Sequence, residues 1–174
     1  MPSTLHPEEK RDPDFILRSN SLSAALTFAA LAATVAGVYL FVPRKNNELL
    51  TRAVEEHRAD QTWEIDHPSA AELTAWSVGA LGGRTPWPPP GDGVDIVGAR
   101  AFELQRGRVG LVRYLVDGRP VTVVARRTRD PAPRRHRRVV GADVALSWRA
   151  GKWTLVAVGP ADAEPRWKAA MGAP

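Results

Sequence analysis

Twenty-one consecutive residues from Leu22 to Val42, LSAALTFAALAATVAGVYLFV, carry no charge, and no other stretch restricts the fold as sharply. A helix rises about 1.5 Å per residue, so this run would span roughly 30 Å, the thickness of a bilayer's hydrocarbon core. Pro43 ends the run and Arg44 and Lys45 follow it; Tyr39 and Phe41 lie near that end, where head groups favour aromatic rings and long cations. The expectation is a single-pass transmembrane helix over residues 21–43. Two other readings fit less well. A core helix in so small a domain rarely runs this far without a charge. A cleaved signal peptide has a shorter apolar stretch and a basic leader, whereas Glu8, Glu9, Asp12 and Asp14 lie upstream here. Ala29, Ala33 and Gly37 recur four apart, a spacing that lets two such helices pack closely, which keeps a homo-oligomer open. Charge does not orient the span, because basic residues flank it almost equally on both sides.

The remainder reads as one domain behind a connection. Residues 1–20 are polar and proline-punctuated, a disordered tail. Residues 44–62 predict a connecting helix, capped by Asn46 or Asn47, with Leu50, Ala53, Val54 and His57 on one face. Residues 63–174 predict an α+β domain. Ser69-Ala70-Ala71-Glu72 is a capping box opening a helix that Gly82-Gly83 ends. Trp87-Pro88-Pro89-Pro90 is a stiff connector. From Val94 the apolar period becomes two: strands over Val94–Leu104, bulged at Gly98, then Val109–Val116, Pro120–Arg126, and two more around Trp148 and Leu155. Asp117-Gly118 signals a two-residue hairpin. Thr62–Ile65 forms a short extended piece, Arg127–Arg138 reads as irregular, and a last helix begins near Glu164 with Pro165 in its first turn. The expected architecture is an antiparallel sheet of four to five strands, one face covered by helices.

The residues exclude more chemistry than they offer. The chain has no cysteine, so disulfides, thiol nucleophiles and Cys-ligated metals are ruled out. His6, His57, His67 and His136 are not spaced as a helical metal pair, and no phosphate loop or nucleophile elbow occurs. Glu64 and Asp66 read as solvated carboxylates rather than a general acid and base. No enzyme, cofactor or metal is expected. The chain has 24 basic and 19 acidic residues. Its densest cations run from Arg126 to Arg138, chiefly a solvated loop in this reading. The functional reading of Arg134, Arg135, Arg137 and Arg138 is contact with an anionic lipid or a partner protein. No aromatic is interleaved, which disfavours nucleic acid. Trp87, beside three prolines, is the tryptophan expected to line an exposed groove, while the others anchor a core.

Taken in order, an apolar helix, a connecting helix, Trp87-Pro88-Pro89-Pro90, Val97-Gly98-Ala99-Arg100 and Val112-Arg113-Tyr114-Leu115-Val116-Asp117-Gly118-Arg119-Pro120-Val121 resemble the transmembrane and extracytoplasmic half of single-pass transmembrane anti-sigma factors. The resemblance covers residues 22–126. It implies a bacterial inner-membrane protein with a cytoplasmic N-terminus, a periplasmic domain over residues 46–174, and a role in transcription regulation. The chain departs from that family in lacking the cytoplasmic sigma-binding domain with its zinc ligands, so no functional residue is carried over. The function expected is a non-catalytic envelope binding or sensor protein, an anti-sigma-like regulator or its partner subunit, in contact with the bilayer and a protein partner. The alternative is an accessory subunit of a larger inner-membrane complex.

Overall fold

The structure is a computed structural model that describes residues 27–37, 48–105, 107–128 and 136–174. The chain divides into two compact units, Met1–Arg44 and Lys45–Pro174.

In the first unit, residues 27–37 form a helix. Alanine, the best helix former, dominates it, and Thr34 Oγ1 folds back to donate to Ala30 O at 2.8 Å. Phe28, Leu31 and Val35 recur on one side and are exposed. The eleven described residues rise about 16 Å, roughly half of a hydrocarbon core. Among the described residues no helix is long and apolar enough to cross a membrane. This overturns the expected transmembrane helix over residues 21–43, and with it the inner-membrane placement with a periplasmic C-terminal domain. The physical reason is length: a span needs about 20 helical residues, and no described helix combines that length with an apolar sequence. Residues 21–26 and 38–43 of the expected span, and the expected tail over residues 1–20, lie outside the described residues.

The second unit is built on alternation. Helix α1 (residues 48–58) leads to β1 (Ile65–Asp66), α2 (Ala70–Leu81), β2 (Val94–Leu104), β3 (Gly107–Val116), β4 (Arg119–Arg127), β5 (His136–Val140), β6 (Asp143–Ala150), β7 (Trp153–Pro160) and α3 (Glu164–Ala170). The strands form one antiparallel sheet in the order β1-β2-β3-β4-β7-β6-β5. The sheet therefore has seven strands, not four to five. The two additional strands have physical reasons for being illegible. β1 is two residues long. β5 is an edge strand of sequence HRRVV with four exposed positions, so no buried face imposes a period.

Helices cover both faces rather than one. Leu49, Leu50, Ala53 and Val54 of α1 pack on Val109, Leu111, Val124, Val156 and Val158. On the opposite face Leu73 of α2 and Trp167 and Met171 of the C-terminal segment share a core with Val112, Tyr114, Val123, Leu155 and Ala157. Each fully buried Val or Leu here contributes about 1.5–3 kcal/mol relative to exposure. Tryptophans seat in notches left by strand glycines. A Cβ at Gly98 would stand 2.5 Å from Trp63, and one at Gly110 would stand 3.0 Å from Trp87. Gly98 also marks the bulge, a register shift in the β2–β3 ladder. The capping box is formed, with Ser69 N donating to Glu72 Oε2 at 2.8 Å. The β3–β4 hairpin turns at Asp117 and Gly118, both at positive φ, 50° and 77°.

The ladder gives the sheet two distinct ends. One carries the β2–β3 and β6–β7 turns and the end of β4. The other carries the β3–β4 and β5–β6 turns and the end of β7. Helix α1 runs from the first end to the second: Arg52 stacks over Phe102, near the end of β2, and His57 reaches Thr122, near the start of β4.

Candidate functional site

Polar groups concentrate in three places in the Lys45–Pro174 unit. The first is the seam between α1 and the sheet. Glu56 of α1 is 3 % exposed. It accepts from Arg100 Nη2 and Gln61 Nε2 and pairs with Arg52 at 2.6 Å. Next to it, His57 Nδ1 meets Thr122 Oγ1 at 2.9 Å, and its other nitrogen lies 3.9 Å from Asp143. Asp143 also receives Arg58 Nε and Nη2, at 3.1 and 2.9 Å. Arg113 of β3 donates to the carbonyls of Glu56 and His57 at 3.1 and 2.8 Å, capping the C-terminus of α1 with a cation where the helix dipole favours one. Burial holds the His57 imidazole below its ordinary pKa; Asp143 opposes this, and Arg113 and Arg58 reinforce it.

A hydroxyl, an imidazole and a carboxylate in a row invite a nucleophilic reading. Burial argues against it, because Thr122 has no exposed surface and stands inside β4. A nucleophile must reach a substrate. The trio fastens the helix instead. Glu64, one of the two carboxylates noted in the sequence, is likewise structural: it accepts from Trp76 Nε1 at 2.9 Å and from Ala101 N at 3.1 Å. Among the described residues no cluster of three or more His, Cys, Asp or Glu could hold a metal ion.

The second place is the end carrying the Asp117-Gly118 turn. Arg119 pairs with Asp162 at 2.5 Å and Arg166 with Asp117 at 2.7 Å, around a cavity of about 240 Å³ floored by Trp167. The arginines hold both carboxyl groups below their usual range, and the carboxylates raise both guanidinium groups. Every charge lining this cavity has an opposite partner.

The third place is the other end of the sheet, and its balance differs. α2 stops at Gly82, which adopts φ +74° as a left-handed cap. The chain then crosses the β6–β7 turn, close enough that a Cβ at Gly83 would meet the Trp153 ring at 3.8 Å. Arg84, Thr85 and Pro86 face Ala150, Lys152 and Trp153 across an open groove of about 520 Å³. Arg127 stands opposite Trp153 in the β4–β7 ladder, hence on the same side of the sheet. Among the described residues no carboxylate lines the groove. Among the described residues Arg84, Arg127 and Lys152 make no ion pair. Thr85 Oγ1 is shielded from solvent without a hydrogen-bond partner.

The residues singled out from the sequence do not form one site. Arg134 and Arg135 lie outside the described residues. Arg137 donates to both carboxylate oxygens of Glu164 in α3, at 2.9 and 2.6 Å, which ties the edge strand down. Arg138 is exposed on β5 and is the neighbour of Ala145 in the ladder, so it belongs to the α1 side of the sheet. Trp87 is half-buried, 6.4 Å from Trp76 between ring centres, over Gly110. The connector beside it is held by Tyr114, whose buried hydroxyl donates to Pro88 O at 3.1 Å. The groove residues Arg84, Lys152 and Trp153 were not singled out. They come from a loop and a turn far apart in the chain, and nothing short of the strand order brings them together. No protein-family model matches the chain, and neither the curated proteins nor the solved structures contain a match.

Proposed function

We propose that this chain is a non-catalytic binding protein of a regulatory kind, as the anti-sigma resemblance implies, in which α1 couples the folded sheet to the residues before it. The observation that carries this reading is the composition of the α1 seam. A helix meant only to stay in place needs an apolar stripe. This one adds Glu56, His57 and Arg58, held by Arg100, Thr122 and Asp143 from three strands. The buried Nε atoms of Arg100 and Arg113 lack partners, so the network is only partly satisfied. Such a network weighs less against release than a dry apolar face, and its bonds are directional, which suits an element that is held in one state and freed in another.

The test is genetic and structural together. Deleting the gene should alter a discrete set of transcripts. The wild-type chain should restore them, and a His57→Glu, Arg58→Glu chain, with two repulsive charges toward Asp143, should not, although its sheet remains folded by circular dichroism. Restoration by the loosened chain, or no transcript change at all, would contradict the proposal. An accessory subunit is the second reading, supported by the exposed Phe28, Leu31 and Val35 on one side of the first unit's helix. In that case deletion leaves transcripts alone and shrinks a native complex.

A further inference from the structure

We infer that the groove between Arg84 and the β6–β7 turn is a docking site for an acidic, apolar-centred segment of a partner protein. The inference rests on the binding reading above and names the chemistry of the partner. Its first support is the charge census of the sheet ends. The end with the Asp117-Gly118 turn neutralises its own arginines; the groove end presents Arg84, Arg127 and Lys152 with no carboxylate in the lining among the described residues. Unpaired like charges gathered on one face repel one another and lower folding stability slightly. An anionic partner removes that repulsion.

The second support is shape. The floor between the cations is Trp153, Pro86 and Ala150. A lone phosphate needs donors converging on one point, typically backbone N–H groups at a helix start or nest. Here the cations stand apart around an apolar floor. That spacing matches an extended segment whose central apolar side chain rests on Pro86, Ala150 and the exposed edge of the Trp153 indole while flanking carboxylates reach the guanidinium and ammonium groups. Lys152 is carried on a turn with Gly151 at φ +60°, so its position is set by the hairpin rather than by a loose loop.

The experiment uses the full chain and a capped pentapeptide of one leucine flanked on each side by two aspartates, with fluorescence of the tryptophans and peptide anisotropy as readouts. The probe should bind saturably. Arg84→Glu and Lys152→Glu should each weaken it at least about ten-fold, as expected when a rim contact turns repulsive. Replacing the leucine by serine should weaken it too, and raising salt should lower the affinity. Unchanged thermal melting of both variants excludes misfolding as the cause. Three outcomes overturn the inference: no saturable binding by the wild-type chain; binding that survives both reversals; or loss of the leucine without effect, with inorganic phosphate or anionic vesicles binding in the peptide's place. None of these touches the transcript test, so the groove can fail while the regulatory reading stands.

Discussion

The two ends of the sheet are made of similar residues arranged to opposite effect. Around the Asp117-Gly118 turn, Arg119 and Arg166 are each matched by an aspartate. Around the β6–β7 turn, Arg84, Arg127 and Lys152 flank Trp153, and among the described residues no carboxylate lines the groove. Strands in an antiparallel sheet deliver residues alternately to both ends, so nothing in the fold forces this segregation. The paired end reads as self-contained structure and the unpaired end as surface directed at something else. Helix α1 spans the two, entering at the basic end and closed at the other by His57, Arg58 and Asp143.

Substitutions can break or sharpen this contrast. The largest effect is expected at the buried charge of α1. Glu56→Ala strands Arg100 against the sheet and should cost about 3 kcal/mol in urea unfolding, as for other broken buried pairs. A cost below about 1 kcal/mol would mean that the seam is not what holds the helix. Next comes acid. Because burial depresses the His57 pKa, the unfolded chain binds a proton more readily than the folded one. Stability is then full above the ordinary value of 6.5 and is lost as pH falls through the lower folded value. Asp117, Asp162 and Glu164 are also depressed, so their contribution stays present above the ordinary 3.8 to 4.5 and fades only at lower pH. Melting temperature against pH should show two descending limbs, and His57→Gln should flatten the upper one alone. At the paired end, Asp162→Asn exposes only a surface ion pair; its small loss of melting temperature should vanish in about 1 M salt, where screening reaches roughly 3 Å. Smallest of all, Lys152→Glu should leave folding stability within about 0.5 kcal/mol.

Much of the sheet was legible in the residues because period-two alternation, a left-handed Asp-Gly turn and a capping box each have a local cause. The Gly98 bulge and the Ser69–Glu72 box appear where the pattern placed them. Legibility failed where the cause is not local. β5 has no buried face to impose alternation, and it is stabilised by its ladder to β6 and by Arg137 reaching Glu164. The seat of Trp87 was not legible either, because a glycine on a distant strand opens it. The apolar run from Leu22 to Val42 promised a span, and among the described residues no helix is long and apolar enough to cross a membrane. The groove was least legible, since Arg84 and Lys152 meet only through the order β4-β7-β6 and the turn of the chain at Gly82.

The most direct test compares the two ends in one binding titration. Lys152→Glu and Arg166→Glu carry the same change of charge, one at the unpaired end and one at the paired end. With the acidic probe peptide, Lys152→Glu should lose affinity at least about ten-fold while melting as the wild type does, and Arg166→Glu should melt lower while binding unchanged. Equal losses of affinity in both variants would mean that the chain attracts acid through its net charge alone, and the distinction between the two ends would fall.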